Sequence, residues 1–300
     1  MPETIAYDVA SGNPIEPEYM IQRHIPGAPL KDIYYDPGIH GKEHVMDQVI
    51  DLLAEMENIQ FPATGQLVAT GCLPDALIAD GNDASHLAGV TTGSFLTGYS
   101  VRPEPGPTST TLEDAFADRL RVWGEEYENP LDEILFKQLS EIIAEIKNLG
   151  FFDQCSVAPN VLHHWDFEPQ NIMEEGENDH YRVTGLLDWD SALSVPLVLA
   201  RKPPAWLWLP KREWTSSQEW WDGDVDELEL GPAELRTRFE RKMEERVGKK
   251  YAEDAFGKGR WIRRIWRFLL HGFPSSEDIK RWDRFEEEWN RYRESGKSAA

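Results

Sequence analysis

Two short apolar runs, Asn171-Ile172-Met173 and Arg182-Val183-Thr184-Gly185-Leu186-Leu187, most restrict what this chain can fold into. The polar run from Glu174 to His180 turns between them, so they predict two short strands. Nearly every other regular segment has helical period. Val45, Val49, Leu52, Leu53 and Met56 predict an amphipathic helix over 43–57, and a further helix is expected over 113–128. Leu131, Leu135, Leu139, Ile142, Ile143 and Ile146 mark another, with Gly150 as its C-terminal stop. Leu235, Phe239 and Met243, then Ile262, Ile265, Trp266 and Leu269, then Trp282, Phe285, Trp289 and Tyr292 give three more stripes. Such stripes read as core rather than as ligand platforms. The expectation is an α+β chain, mainly helical.

Residues 4–8 and 19–25 read as two further strands with Ser11-Gly12-Asn13-Pro14 as a turn between them. Ile25-Pro26-Gly27-Ala28-Pro29 then makes a tight connection. The stretch 62–112, rich in Gly, Thr, Ser and Pro, reads as a long irregular excursion with room for a short hairpin. Trp220 to Glu227 lacks the spacing of a calcium loop and reads as a solvated acidic segment. Ser295 to Ala300 reads as a frayed tail.

A net charge of −23 over 300 residues argues against nucleic-acid binding, which needs clustered Lys and Arg. It suits solubility and is compatible with a cationic small molecule. Cys72 and Cys155 make neither a disulfide framework nor a CxxC metal signature, which fits a reduced compartment. The start at Met1-Pro2-Glu3-Thr4 shows no leader, and no apolar stretch is long enough to span a membrane. A cytoplasmic protein is expected.

Chemistry concentrates in His164-Trp165-Asp166-Phe167-Glu168-Pro169-Gln170-Asn171 and in Asp188-Trp189-Asp190. Asp166 and Asn171 fall in the loop before one strand, and Asp188 at the end of the next. Rigid strand ends can aim such residues at one point. Phosphoryl transfer needs this set: a carboxylate to receive the proton of an attacking hydroxyl, and hard oxygen ligands for magnesium on the nucleotide phosphates. Asp166 is the candidate catalytic carboxylate, and Asn171 and Asp188 are the candidate metal ligands. His164 is the candidate brace of the loop, and Pro169 stiffens it before Asn171.

These residues resemble the catalytic loop of the aminoglycoside phosphotransferase and choline kinase-like enzymes, small-molecule relatives of the protein kinases. The family loop reads H-G-D-x-H-P-x-N, followed further on by D-W or D-F. His164, Asp166, Pro169, Asn171, Asp188 and Trp189 fall in register. Tyr19-Met20-Ile21-Gln22-Arg23-His24-Ile25-Pro26-Gly27-Ala28-Pro29-Leu30 resembles the family hinge, Y-x-x-M-E-x-I-x-G-x-P-L. That match implies that backbone groups of Gln22, Arg23 and His24 meet the adenine of ATP. Ser191 to Trp208, with Pro203-Pro204-Ala205-Trp206-Leu207-Trp208, is similar to fungal members. The resemblance implies a protein kinase-like fold: a remnant of the N-terminal lobe and hinge over 1–30, a C-terminal large lobe with a helical extension over 31–292, and a disordered tail over 293–300. It implies ATP and Mg2+ as cofactors and a hydroxyl-bearing small molecule as acceptor.

Two departures qualify the expected activity. Glu168 stands where the family has His, and a negative charge there does not assist an incoming phosphate. No counterpart of the Gly-rich phosphate loop or its Lys is found, the first Lys being Lys31, beyond the hinge. The expectation is therefore an impaired phosphotransferase, the alternative being a degenerate, non-catalytic binding relative. A metal-dependent hydrolase built on His163, His164, Asp166 and Asp188 is the remaining reading. It is disfavoured because adjacent residues of an extended segment point to opposite sides.

Overall fold

The alternation of helical stripes with short strands is what the structure displays. This computed structural model describes residues 3–8, 19–35, 39–69, 90–93, 111–125, 130–177, 180–189, 192–209 and 230–297. In chain order come strands β1 (Thr4–Asp8), β2 (Tyr19–Gln22) and β3 (Ala28–Pro29), a 3-10 turn (Leu30–Asp32) and helix α1 (Ile39–Asn58). Then follow β4 (Gln60–Phe61), β5 (Gly65–Ala69), β6 (Val90–Gly93), α2 (Leu112–Glu125), α3 (Pro130–Asn148) and α4 (Phe151–Gln154). Strands β7 (Asn160–His163), β8 (Ile172–Glu177), β9 (His180–Leu186) and β10 (Leu193–Pro196) precede α5 (Leu197–Ala200) and a second 3-10 turn (Ala205–Leu207). The chain closes with α6 (Leu230–Val247), α7 (Lys250–Ala255), α8 (Gly259–His271) and α9 (Ser276–Lys297). It is a mainly helical α+β protein with small sheets.

The chain divides into two compact units. The first comprises Met1–Ile59, Val161–Leu193 and Pro203–Ala252. Here β1 and β2 pair antiparallel, and β3, β8 and β9 make a three-stranded sheet. Ile172 lies opposite Leu186 and Glu177 opposite His180, so the strands continue into the polar run read as a turn. Gln48 on α1 explains part of this: its amide donates to the Tyr181 carbonyl (2.7 Å) and accepts from the Val183 N–H (2.8 Å). One side chain thus supplies the partners that an edge strand lacks. Along α1, Val45, Met46, Val49, Ile50 and Ala54 are buried. Helix α6 buries Leu235, Phe239 and Met243 as the period predicts. Between the two helices, Arg238 meets Asp47 at 3.4 Å, Lys242 meets Asp47 at 2.5 Å and Arg246 meets Asp51 at 2.9 Å.

The connection after β2 is set by one glycine. Strand β2 stops at Gln22, short of the expected end at 25. Pro26 has no N–H to continue a ladder, and its carbonyl instead accepts from Thr184 Oγ1 at 2.7 Å. Gly27 follows with φ of 107°, and a Cβ there would stand 2.0 Å from the Glu174 carbonyl oxygen. Gly27→Ala therefore meets both strain and a backbone clash. It should cost more than about 1 kcal/mol of stability, read from denaturant melts. A melt equal to wild type would overturn this account of the connection.

The second unit comprises Gln60–Asn160, Ser194–Lys202 and Glu253–Ala300. Strands β5 and β6 pair antiparallel, Gln66 opposite Gly93, giving the short hairpin within the 62–112 excursion. Helix α3 buries Leu135, Phe136, Leu139, Ile142, Ile143 and Ile146. Leu131, assigned to the same stripe, is 46% exposed at the helix start. Gly150, with φ of 71°, takes the left-handed position that ends α3. Helices α8 and α9 bring Trp261, Phe268, Trp282, Phe285 and Trp289 into an edge-to-face aromatic core. Helix α9 runs to Lys297, through residues read as frayed or disordered. Arg293, bonded to Glu145 at 3.0 Å, anchors that last stretch. The expected turn at 11–14, the excursion outside β4, β5, β6 and residues 62–64 and 111–112, and the acidic run 220–227 lie outside the described residues.

Candidate functional site

The candidate site belongs wholly to the first unit. Strand β7 ends at His163, and the chain must reverse before β8 begins at Ile172. Two tight bonds make the reversal: Glu168 N–H donates to the Asp166 carbonyl and Asn171 N–H to the Glu168 carbonyl, each at 2.9 Å. Buried Pro169 sits between them. Its own carbonyl accepts from Lys31 N–H at 3.1 Å, which ties the 3-10 turn after β3 to this loop.

Asn171 is buried, and its side-chain amide nitrogen donates both to the Asp166 carbonyl and to Asp166 Oδ2, each at 2.9 Å. Gln170 Nε2 approaches the same Oδ2 at 3.4 Å. Asp166 is thus oriented through one carboxylate oxygen, leaving Oδ1 clear of these amides. Asn171 has its donor engaged on Asp166, so its side-chain oxygen remains for a cation.

The third residue arrives from β9. Leu187 N–H donates to the Asn171 carbonyl at 2.8 Å, which brings the end of β9 against the start of β8. Asp188 follows, exposed, with φ of 59°. Asp is among the few residues that tolerate this left-handed backbone, and strain at such a position is common where a side chain must be aimed. Trp189 Nε1–H closes the turn onto the Leu186 carbonyl at 2.9 Å.

His164 links the two segments. It is 1% exposed, and its Nε2 lies 2.7 Å from the Leu187 carbonyl. A carbonyl only accepts, so Nε2 carries the hydrogen and Nδ1, buried without a partner, is left as an acceptor. Burial lowers the imidazole pKa, opposed by the Leu187 carbonyl and by the charges of Asp166 and Asp188. Both carboxylates therefore act on one ring. Trp189 packs edge-on against that ring at 4.7 Å.

The remaining expected residues are placed differently. Gln22, Arg23 and His24 are exposed. Arg23 pairs with Glu3 at 2.6 Å and Gln22 Nε2 reaches Met20 Sδ at 3.5 Å, both within the β1–β2 region. Their described bonds do not join them to the loop. Among the described residues, no three His, Cys, Asp or Glu side chains come together as a metal cage. The engagement of His164 Nε2 with the Leu187 carbonyl leaves that nitrogen occupied in the hydrolase reading on His163, His164, Asp166 and Asp188. Asn171 and Asp188 offer instead a small set of hard oxygens, which suits magnesium when water and phosphate supply the other ligands.

Three contributors were not singled out from sequence: Gln170, Tyr34 and Trp206. The signal for Trp206 was present in the run Pro203 to Trp208, but nothing in it named a partner. Glu168 also acts outside the loop, since its charge adds to burial in raising the Tyr35 pKa.

No protein-family profile matches the chain, and no curated protein matches it in sequence. A search by fold finds a thermostable mutant of aminoglycoside phosphotransferase APH(4)-Ia in ternary complex with AMP-PNP and hygromycin B, at 16% identity and a TM-score of 0.38. The match covers 89% of this chain and 76% of that one. A likeness of that degree carries no argument about fold or activity.

Proposed function

We propose that the loop His164–Asn171 and Asp188 form the phosphoryl-transfer half-site of a kinase-like protein of the aminoglycoside phosphotransferase and choline kinase-like type. The substrates are ATP and a hydroxyl-bearing small molecule. The observation that carries the reading is the pair of hydrogen bonds that Asn171 Nδ2 donates to Asp166. It holds the candidate base at a fixed angle and turns the Asn171 oxygen into a ligand. Asp166 then accepts the acceptor's hydroxyl proton as that oxygen bonds to the terminal phosphorus and ADP leaves. Asn171 and Asp188 would hold magnesium, which when bound neutralises phosphate charge. His164 keeps the Asp188 segment in register with the loop, and backbone groups of Gln22, Arg23 and His24 meet the base of the nucleotide.

Glu168 supports a second reading, a protein that binds nucleotide without transferring phosphate, because its charge opposes an incoming phosphoryl group. Thermal melting with and without Mg·ATP tests both. At a hundredfold excess over the dissociation constant, ligand should add ~2.7 kcal/mol. That is a rise of roughly 5–10 °C for a chain of this size. Asp188→Asn, which keeps a residue tolerant of positive φ and removes the charge, should abolish the rise. A folded wild-type protein with no rise would sink both readings. A rise without phosphoryl transfer to any acceptor favours the second.

A further inference from the structure

The run Pro203 to Trp208 lies outside the loop yet reaches it. Trp206 is 1% exposed, and its Nε1–H donates to the Phe167 carbonyl at 3.1 Å. Phe167 is the residue directly after Asp166. The indole is itself held: the Tyr34 ring meets it edge-on at 5.3 Å, and Tyr34 Oη–H donates to the Leu207 carbonyl at 2.5 Å. Tyr34 is also fully buried, so this support is rigid.

The Phe167 carbonyl shares its peptide with the Glu168 N–H, which donates to the Asp166 carbonyl at 2.9 Å. The Asp166 carbonyl also accepts from Asn171 Nδ2, and the Glu168 carbonyl accepts from Asn171 N–H. Rotation of the peptide between Phe167 and Glu168 would break the Glu168 N–H bond to the Asp166 carbonyl and loosen the turn that holds Asp166 against Asn171. The indole hydrogen bond resists that rotation.

We propose that Trp206 is a positioning residue for Asp166, acting through the Phe167 carbonyl and backed by Tyr34. Its consequence for phosphoryl transfer rests on the function proposed above, but the geometric claim does not. Trp206→Phe keeps a buried ring and removes the donor. The readout is the Asn171 side-chain amide signal in 15N NMR, assigned by its loss in Asn171→Asp. In Trp206→Phe that signal should shift, and its exchange with solvent should speed roughly tenfold, the loss of about one hydrogen bond. Tyr34→Phe, which removes only the hydroxyl, should move it the same way by less, and serves alone if Trp206→Phe does not fold. Trp289→Phe removes another buried indole donor, bonded to Glu145 at 3.0 Å in the second unit, and should leave the signal unchanged. An unmoved Asn171 signal in folded Trp206→Phe and Tyr34→Phe, or an equal change in Trp289→Phe, would overturn the proposal. Failure of wild type to respond to Mg·ATP would overturn the proposed function and leave this result standing.

Discussion

Asp254→Asn should destabilise the second unit by about 3–5 kcal/mol, the cost of removing one partner from a buried ion pair. Asp254 is fully buried and its Oδ2 lies 2.8 Å from Arg201 Nη1, which is 4% exposed. Its Oδ1 accepts from the Ser156 N–H at 2.9 Å. Asn keeps an oxygen for Ser156 but removes the charge that Asp254 sets against the buried Arg201 guanidinium. Adding Arg201→Met removes the guanidinium charge as well. The double variant should therefore lie closer to wild type than the sum of the single variants, because a buried pair replaced by apolar groups is often near neutral. Urea denaturation of the four proteins gives the coupling directly. Additive costs would mean that the two residues act separately.

On the proposed function, Asp166→Asn should retain the Mg·ATP-dependent rise in melting temperature and lose phosphoryl transfer by roughly 10²–10⁴-fold, the usual contribution of a positioned general base. The amide still offers an oxygen to Asn171, so the loop keeps its shape. Only the proton acceptor is gone. Transfer of labelled terminal phosphate to amino-sugar and amino-alcohol acceptors, with water as the reference, measures the loss. Equal rates in variant and wild type would remove Asp166 from the proposed role. Paired with Asp188→Asn, which should lose the thermal response itself, the two variants separate chemistry from nucleotide binding.

The helical stripes on α3, α6, α8 and α9 were legible because burial of one face forces a repeat near 3.6 residues. Their buried residues match the stripes with two exceptions: Leu131, where the helix start faces solvent, and Tyr292, half-buried near the end of α9. The loop residues were legible for a different reason. His164, Asp166, Asn171 and Asp188 have local spacings that short strands hold nearly constant. The need for Gly27 was half visible: the run Ile25 to Pro29 announced a turn, but not the Glu174 carbonyl that excludes a side chain.

What the sequence by itself determined about this protein is therefore its mainly helical α+β character, its core faces, and the residues gathered around one loop. Periodicity and spacing are local properties and survive in one dimension. The tertiary structure alone decided the pairings: Gln48 with the β9 edge, Arg201 with Asp254, and Trp206 with the peptide after Asp166. Each joins residues tens of positions apart or more through one or two directional bonds. Nothing repeats along the chain to signal it, because only the folded backbone brings such a donor and acceptor within reach.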